Sequence, residues 1–376
     1  MFFEYIGGRL GIGKMATTLT SCQTKMLLKS TCAESAGEAE KKNHYHHSRT
    51  PSASLGICGP IYDIDQVPEH FHELYILHGY RHPKSSFKQC ILSLFDATNE
   101  TLNCWTHFLP SLYFFWVFLQ LSKTYDFQND SYTWPLLVYM IVCCLFPLTS
   151  AVAHTFNTMS ERARHICFFL DYSALSLLSL AVAIAYRAYA FPESLRNTWF
   201  GDVFIYGAVI NSLICVTVSC ETRFLKISLL RKILRLCSFA LPFFYDSSPI
   251  VYRLFFGSET ECALSSQYLL ARQFLFAFLS AFLYATHLPE RLFPGQFDII
   301  GHSHQLFHVF SILATLDQLQ ALLEDMRQRS NDLKPTWEFH SFGDTIGIFL
   351  LVVIVNTLII FIFSIRRLPP AKQHDC

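Results

Sequence analysis

The sequence is short of charge. Asp, Glu, Lys and Arg make up 15% of it, the two signs balance at 29 each, and the mean hydropathy is +0.30. No basic tract is dense enough to engage nucleic acid, so a nuclear or DNA-binding role has no support. A disulfide scaffold is also missing. The thirteen cysteines include no Cys-x-x-Cys pair, and many lie inside apolar stretches, among them Cys104, Cys143, Cys144, Cys167, Cys215 and Cys237. They read as reduced thiols that pack like small apolar side chains. The first fourteen residues, with Glu4, Arg9 and Lys14, lack the apolar run of a cleavable leader, so the first membrane segment is expected to direct insertion.

What the chain has instead is grease in blocks: 52% of its residues are apolar, too many for an ordinary soluble protein. Met1 to about Tyr62 is polar and aperiodic, which predicts a disordered cytosolic tail, with Met15 as an alternative start. His44, His46 and His47 have no ordered partner nearby and read as solvated. From Val67 to Phe95 apolar and charged residues mix, as expected of an amphipathic segment at the membrane surface.

Eight blocks then reach the roughly 20 residues that a hydrocarbon core of about 30 Å demands. They cover 104–122, 134–155, 166–186, 199–219, 234–256, 265–287, 303–323 and 345–365. The fifth is interrupted by Pro242 and Pro249, and the seventh carries Gln305, Asp317, Gln318 and Gln320. A bundle tolerates both, since neighbouring helices satisfy the polar groups.

Lys and Arg accumulate on the cytosolic side of membrane proteins. One set of loops holds thirteen of them: Arg81, Lys84, Lys88, Arg162, Arg164, Arg223, Lys226, Arg231, Lys232, Arg291, Arg366, Arg367 and Lys372. The other holds six: Lys123, Arg187, Arg196, Arg327, Arg329 and Lys334. The imbalance predicts cytosolic termini and an even number of spans. The expected organisation is a tail (1–62), an amphipathic juxtamembrane segment (63–103), a seven-helix core (104–323), an extracellular loop (324–344), an eighth span (345–365) and a cytosolic tail (366–376).

Three polar patches interrupt the apolar blocks on the same predicted side. Ser150 and His154 lie one helical turn apart at the end of the second, Asp171 near the start of the third, and His304 and His308 four residues apart at the start of the seventh. Three imidazoles at one depth suit tetrahedral zinc with an open fourth position. Asp171 and Ser150 are placed to support a water or oxyanion there. Each feature also has a plainer reading: a histidine in a membrane helix often packs and hydrogen-bonds, as His287 and His302 are expected to do. Asp246, Asn211 and Arg272 either line a ligand cavity or pair among themselves.

At these residues the chain resembles the progestin and adipoQ receptor family over about Asp65 to Gln320. The marks are Asn99-Glu100-Thr101-Leu102-Asn103-Cys104-Trp105-Thr106-His107, Ser150 with His154 and Asp171, and the run from Pro289-Glu290-Arg291 through Phe293-Pro294-Gly295 to Ser303-His304-Gln305-Leu306-Phe307-His308. The resemblance implies an all-α integral membrane fold, an adiponectin-receptor-like bundle of seven helices, with zinc on His154, His304 and His308. Glu100, Asn103, Trp105 and His107 would flank the site. The eighth apolar block and basic tail resemble the membrane progestin receptor branch.

Two functions follow from that resemblance. One is a plasma-membrane receptor for a progestin or other lipid that signals through an inhibitory G protein, with the basic stretches Arg223 to Lys232 and Arg366 to Lys372 as contacts for the G protein or for anionic lipid. The other is a zinc-dependent lipid amide hydrolase, ceramidase-like, with Asp171 and Ser150 as catalytic residues. A purely structural zinc is a third reading. The sequence assigns no steroid-contact residues.

Overall fold

The computed structural model describes residues 55–56, 59–257, 264–337, 339 and 341–368. Nearly all of the expected 1–62 tail, including Met15, His44, His46 and His47, lies outside the described residues, as do residues 369–376.

Eight helices of at least 21 residues carry the apolar blocks: α1 (Thr101–Leu121), α2 (Trp134–Phe156), α3 (Glu161–Ala185), α4 (Trp199–Thr222), α5 (Ser228–Phe256), α6 (Leu264–Thr286), α7 (Ser303–Gln328) and α8 (Ile346–Arg366). Six of them, all but α1 and α5, are long and apolar enough to cross a membrane by length and composition. The outer faces of the eight helices present, among others, Leu112, Phe115 and Trp116 on α1, Ile210 and Ile214 on α4, Phe278 on α6, and Leu351, Ile354 and Phe361 on α8. That much exposed apolar surface on parallel-running helices belongs in lipid, where the closed backbone ladder of each helix leaves no polar group unsatisfied.

Local chemistry sets the helix ends. The Ser160 hydroxyl caps α3 through the Ala163 amide, and the Thr198 hydroxyl caps α4 through that of Gly201. At α7 the cap comes from outside the helix: buried Glu290 accepts from both the amide and the hydroxyl of Ser303, placing a carboxylate on a helix N-terminus where the dipole favours it.

The two prolines expected to interrupt the fifth block do not divide it. Helix α5 runs unbroken through Pro242 and Pro249. Pro249 removes the amide that would bond the Tyr245 carbonyl, and the Ser248 hydroxyl bonds that carbonyl instead at 2.8 Å. Helix α7 reaches Gln328, beyond the expected end at 323, because its polar residues find partners inside the bundle. Arg272 clamps Asp317 with two bonds, Gln318 joins Tyr139 and Tyr186, and Asp325 pairs with Arg253 and Ser266. Asp246 meets Ser179. The three residues Asp246, Asn211 and Arg272 therefore do not pair among themselves.

Helix α1 packs between α2 and α7, α7 against α6, and α3 against α2, α4, α5 and α8. The main apolar core, with Phe114, Tyr139, Phe146, Leu180, Ile184, Phe204, Ile250 and Leu322, fills the half of the bundle away from His154 and His304. The histidine end is instead covered by residues 59–100. That segment has a small core of its own, Val67, Phe71, Ile76 and Tyr80, and a short helix, Phe87–Leu92. Phe87, Ile91 and Phe95, spaced four apart, expose their side chains. Eight cysteines in the described region are free, most of them buried.

Candidate metal centre

His154 stands on the last turn of α2, and His304 and His308 on the first two turns of α7. Helix α2 runs toward this end and α7 runs away from it back into the bundle, which brings the three rings together. Their centroids lie 5.0, 5.1 and 4.5 Å apart. One ring nitrogen from each lies within 4.8 Å of the others, and the His154 and His304 Nε2 atoms are 3.1 Å apart. Nitrogens bound tetrahedrally at about 2.0–2.1 Å stand roughly 3.3 Å from one another, close to that spacing.

Hydrogen bonds behind two of the rings, His154 and His308, fix which nitrogen each of them offers. His154 Nδ1 is 2.7 Å from Glu100 Oε2. A carboxylate accepts, so Nδ1 carries the proton and Nε2 keeps its lone pair. Thr106 Oγ1 lies 3.1 Å from His308 Nδ1. The hydroxyl already donates to the Leu102 carbonyl at 2.7 Å, so it accepts from His308, whose Nε2 is likewise left as the free acceptor. Phe168 lies edge-on to His154, and Phe307 stacks on His304. A donor set of three ring nitrogens, two of them with protonated back sides, between apolar walls fits a borderline-soft divalent metal.

Glu100 is the hub. Its other oxygen accepts from Asn157 Nδ2 at 2.6 Å, and Asn103 Nδ2 adds a bond at 2.8 Å. Burial alone would raise the pKa of this carboxyl. The His154 imidazole that donates to it, Arg81 and the Asn103 amide outweigh that and hold it well below the usual carboxylate range.

Asp171, buried, is not among the residues whose ligand atoms converge here, and Ser150, also buried, lies one turn before His154 on α2. Asp171 follows Phe168 by one turn of α3. Neither its carboxylate nor the Ser150 hydroxyl makes a hydrogen bond among the described residues, so both are available to a polar group brought into the site. Trp105 Nε1 bonds the Leu94 carbonyl at 2.8 Å and so fastens α1 to the covering segment. His107 stacks on His308 at 3.7 Å, and neither of its ring nitrogens has a partner among the described residues. His302 packs as a bonded histidine, its Nε2 3.1 Å from the Asn99 carbonyl oxygen. His287 lies 3.8 Å from Glu290.

The basic stretch between α4 and α5 divides in two. Lys226 is exposed, whereas Arg223 turns inward to His165 and Tyr172 and lies over the Phe168 ring.

Three groups that position the centre carry no local sequence signal: Arg81, Asn157 and Thr106. The back-side role of Glu100 was equally hidden, because it depends on contacts 54 and 57 positions away.

The model of the family described as haemolysin-III related matches residues 95–319, the stretch that supplies Glu100, His154, His304 and His308. The chain belongs to this family. It is the one that the Asn99–His107 and Ser303–His308 motifs resemble. Among curated haemolysin-III-related relatives, the human membrane progestin receptor gamma is 48% identical over 320 residues, 84% of this chain and 96% of that protein. The human membrane progestin receptor delta is 45% identical over 311 residues, 81% of this chain and 90% of that protein. A zebrafish (Danio rerio) alpha-B receptor falls to 31% over 274 residues, 71% of this chain and 76% of that protein. Identity to the gamma and delta receptors is thus well above that to the alpha-B receptor. The chain is an integral membrane receptor of this family.

Proposed function

We propose that the protein is a plasma-membrane progestin receptor that holds zinc on His154, His304 and His308 and signals through an inhibitory G protein. The observation that carries this reading is the near-end-to-end similarity to membrane progestin receptors, coinciding with a cluster of three buried imidazoles. In the proposed arrangement all eight helices span the membrane and both termini are cytosolic, as the thirteen-to-six distribution of Lys and Arg supports. The histidine end then faces the cytosol, beneath residues 59–100. The ligand is a progestin that enters from the bilayer.

The unpartnered Asp171 and Ser150 favour a second reading, hydrolysis of a lipid amide such as ceramide. Zinc bound there supplies a Lewis acid that polarises a carbonyl and acidifies water. Asp171 would take up the proton released as water attacks the carbonyl carbon and return it to the amide nitrogen as the C–N bond breaks, and the Ser150 hydroxyl would donate to the developing oxyanion. The hydrophobic walls at Phe168 and Phe307 keep bulk water out.

Radiolabelled progesterone binding and ceramide hydrolysis, measured on the same zinc-replete and zinc-stripped samples, separate the two. Saturable binding without turnover supports the receptor alone, and zinc-dependent turnover supports the hydrolase. Neither binding nor turnover would overturn both.

A further inference from the structure

Helix α2 ends at His154, Thr155 and Phe156, where the last carbonyls have no partner in their own helix. Arg81, far away in the covering segment, supplies one. Its buried guanidinium donates from Nη2 to the His154 carbonyl at 2.5 Å and to Asn157 Oδ1 at 2.6 Å, and from Nη1 to the Thr155 carbonyl at 2.8 Å and to Ser93 Oγ at 3.1 Å. A cation on a helix C-terminus also complements the dipole. Asn157 passes the connection on to Glu100, and Glu100 returns it to the His154 ring. The circuit is closed: one guanidinium holds the backbone of His154 and, through an amide and a carboxylate, the back side of its imidazole.

We propose that Arg81 is a positioning residue of the histidine centre, and that through it metal retention depends on the docking of the covering segment. The proposal rests on the metal reading above. The segment is fastened close by. Asp298, outside the segment, accepts from the amides of Leu77 and His78, and within the segment the Asn99 amide bonds the Gly79 carbonyl at 2.9 Å. Gly79 has φ +89°, and a Cβ there would stand 2.5 Å from Ile299 and 3.0 Å from the Asn99 nitrogen, so only glycine allows this approach. Because binding free energies are reciprocal, a partner or modification that lifts residues 77–99 would loosen the metal, and loss of metal would loosen the segment.

The test uses the purified full chain in lipid nanodiscs, with zinc affinity read by competition against a fluorescent chelator. Arg81→Gln should weaken zinc by roughly 10- to 100-fold, the usual effect of losing a group that orients a metal ligand. Arg81→Lys should fall between Arg81→Gln and wild type, since one ammonium cannot span two carbonyls and an amide. Arg164→Gln removes another anchor of the segment, to Glu73 and Phe71, without touching the circuit, and should stay within about twofold of wild type. Wild-type affinity in Arg81→Gln would overturn the proposal, and an equal loss in Arg164→Gln and Arg81→Gln would overturn the positioning role of Arg81, leaving the docking of the segment in general to hold the metal. Should Arg81→Gln fail to fold, Asn157→Leu cuts the arm to Glu100 and must itself weaken zinc. Hydrogen exchange adds a readout of docking: stripping zinc from wild type should speed exchange at Leu77 and His78, whose amides bond Asp298, and unchanged exchange contradicts the coupling. A wild-type chain that holds no zinc would refute the metal reading itself.

Discussion

The His154 imidazole and the Glu100 carboxylate meet at 2.7 Å, Nδ1 donating to Oε2, across the junction of α2 and the residue before α1. That contact orients a ligand of the proposed centre and fixes its tautomer. Glu100→Gln keeps the shape but replaces a charged acceptor with a neutral amide. Zinc affinity should fall roughly 10- to 100-fold by chelator competition, and an unchanged affinity would show that Glu100 only packs.

At the opposite end of the bundle Arg253 and Asp325 form an ion pair with both side chains essentially out of solvent, 2.7 Å apart. Removing one partner strands a buried charge. Asp325→Ala should lower stability by about 3–5 kcal/mol, whereas the double change of Arg253→Met with Asp325→Leu should be close to neutral. Thermal unfolding in nanodiscs measures the contrast. Equal losses in the single and double variants would mean that packing, not charge, sets the cost.

Asn99 begins an Asn-Glu-Thr sequon, yet the residue is buried under the covering segment, bonded to Gly79 and His302. It should carry no glycan, by mass spectrometry and by an unchanged gel mobility after glycosidase. Modification there would contradict both the docking of residues 59–100 and the proposed cytosolic orientation.

Asp171→Asn separates the receptor from the hydrolase. Under the hydrolase reading ceramide turnover should drop by roughly 10²-fold or more, the contribution expected of a general base, while progesterone binding and zinc content stay at wild-type levels. Equal turnover in the two proteins would remove Asp171 from catalysis.

The positions of the helices were legible because bilayer thickness imposes a length, and apolar blocks of that length are hard to mistake. Their ends were less so. Helix α3 starts at Glu161, five residues before the apolar run, because Ser160 caps it and Arg164 finds Glu73 and Phe71. Helix α7 outlasts its apolar stretch because Arg253 and Ser266 neutralise Asp325. Polar residues there read as loop only until their partners on α5 and α6 are known.

For the site, the i, i+4 spacing made the pairing of His304 and His308 readable, and the depth argument brought His154 to them. The circuit through Arg81, Asn157 and Glu100 was not readable, since each bond joins residues more than fifty positions apart and none leaves a periodic trace. Asp171 lay at the expected depth, but its carboxylate is not among the ligand atoms that converge in the cluster.

The most direct test of the account is the zinc content of the purified chain beside that of a variant carrying His304→Ala and His308→Ala, measured by mass spectrometry of the metal. The account predicts about one zinc per chain in the wild type, as a three-histidine site holds, and essentially none in the variant. Equal metal in the two proteins would contradict it.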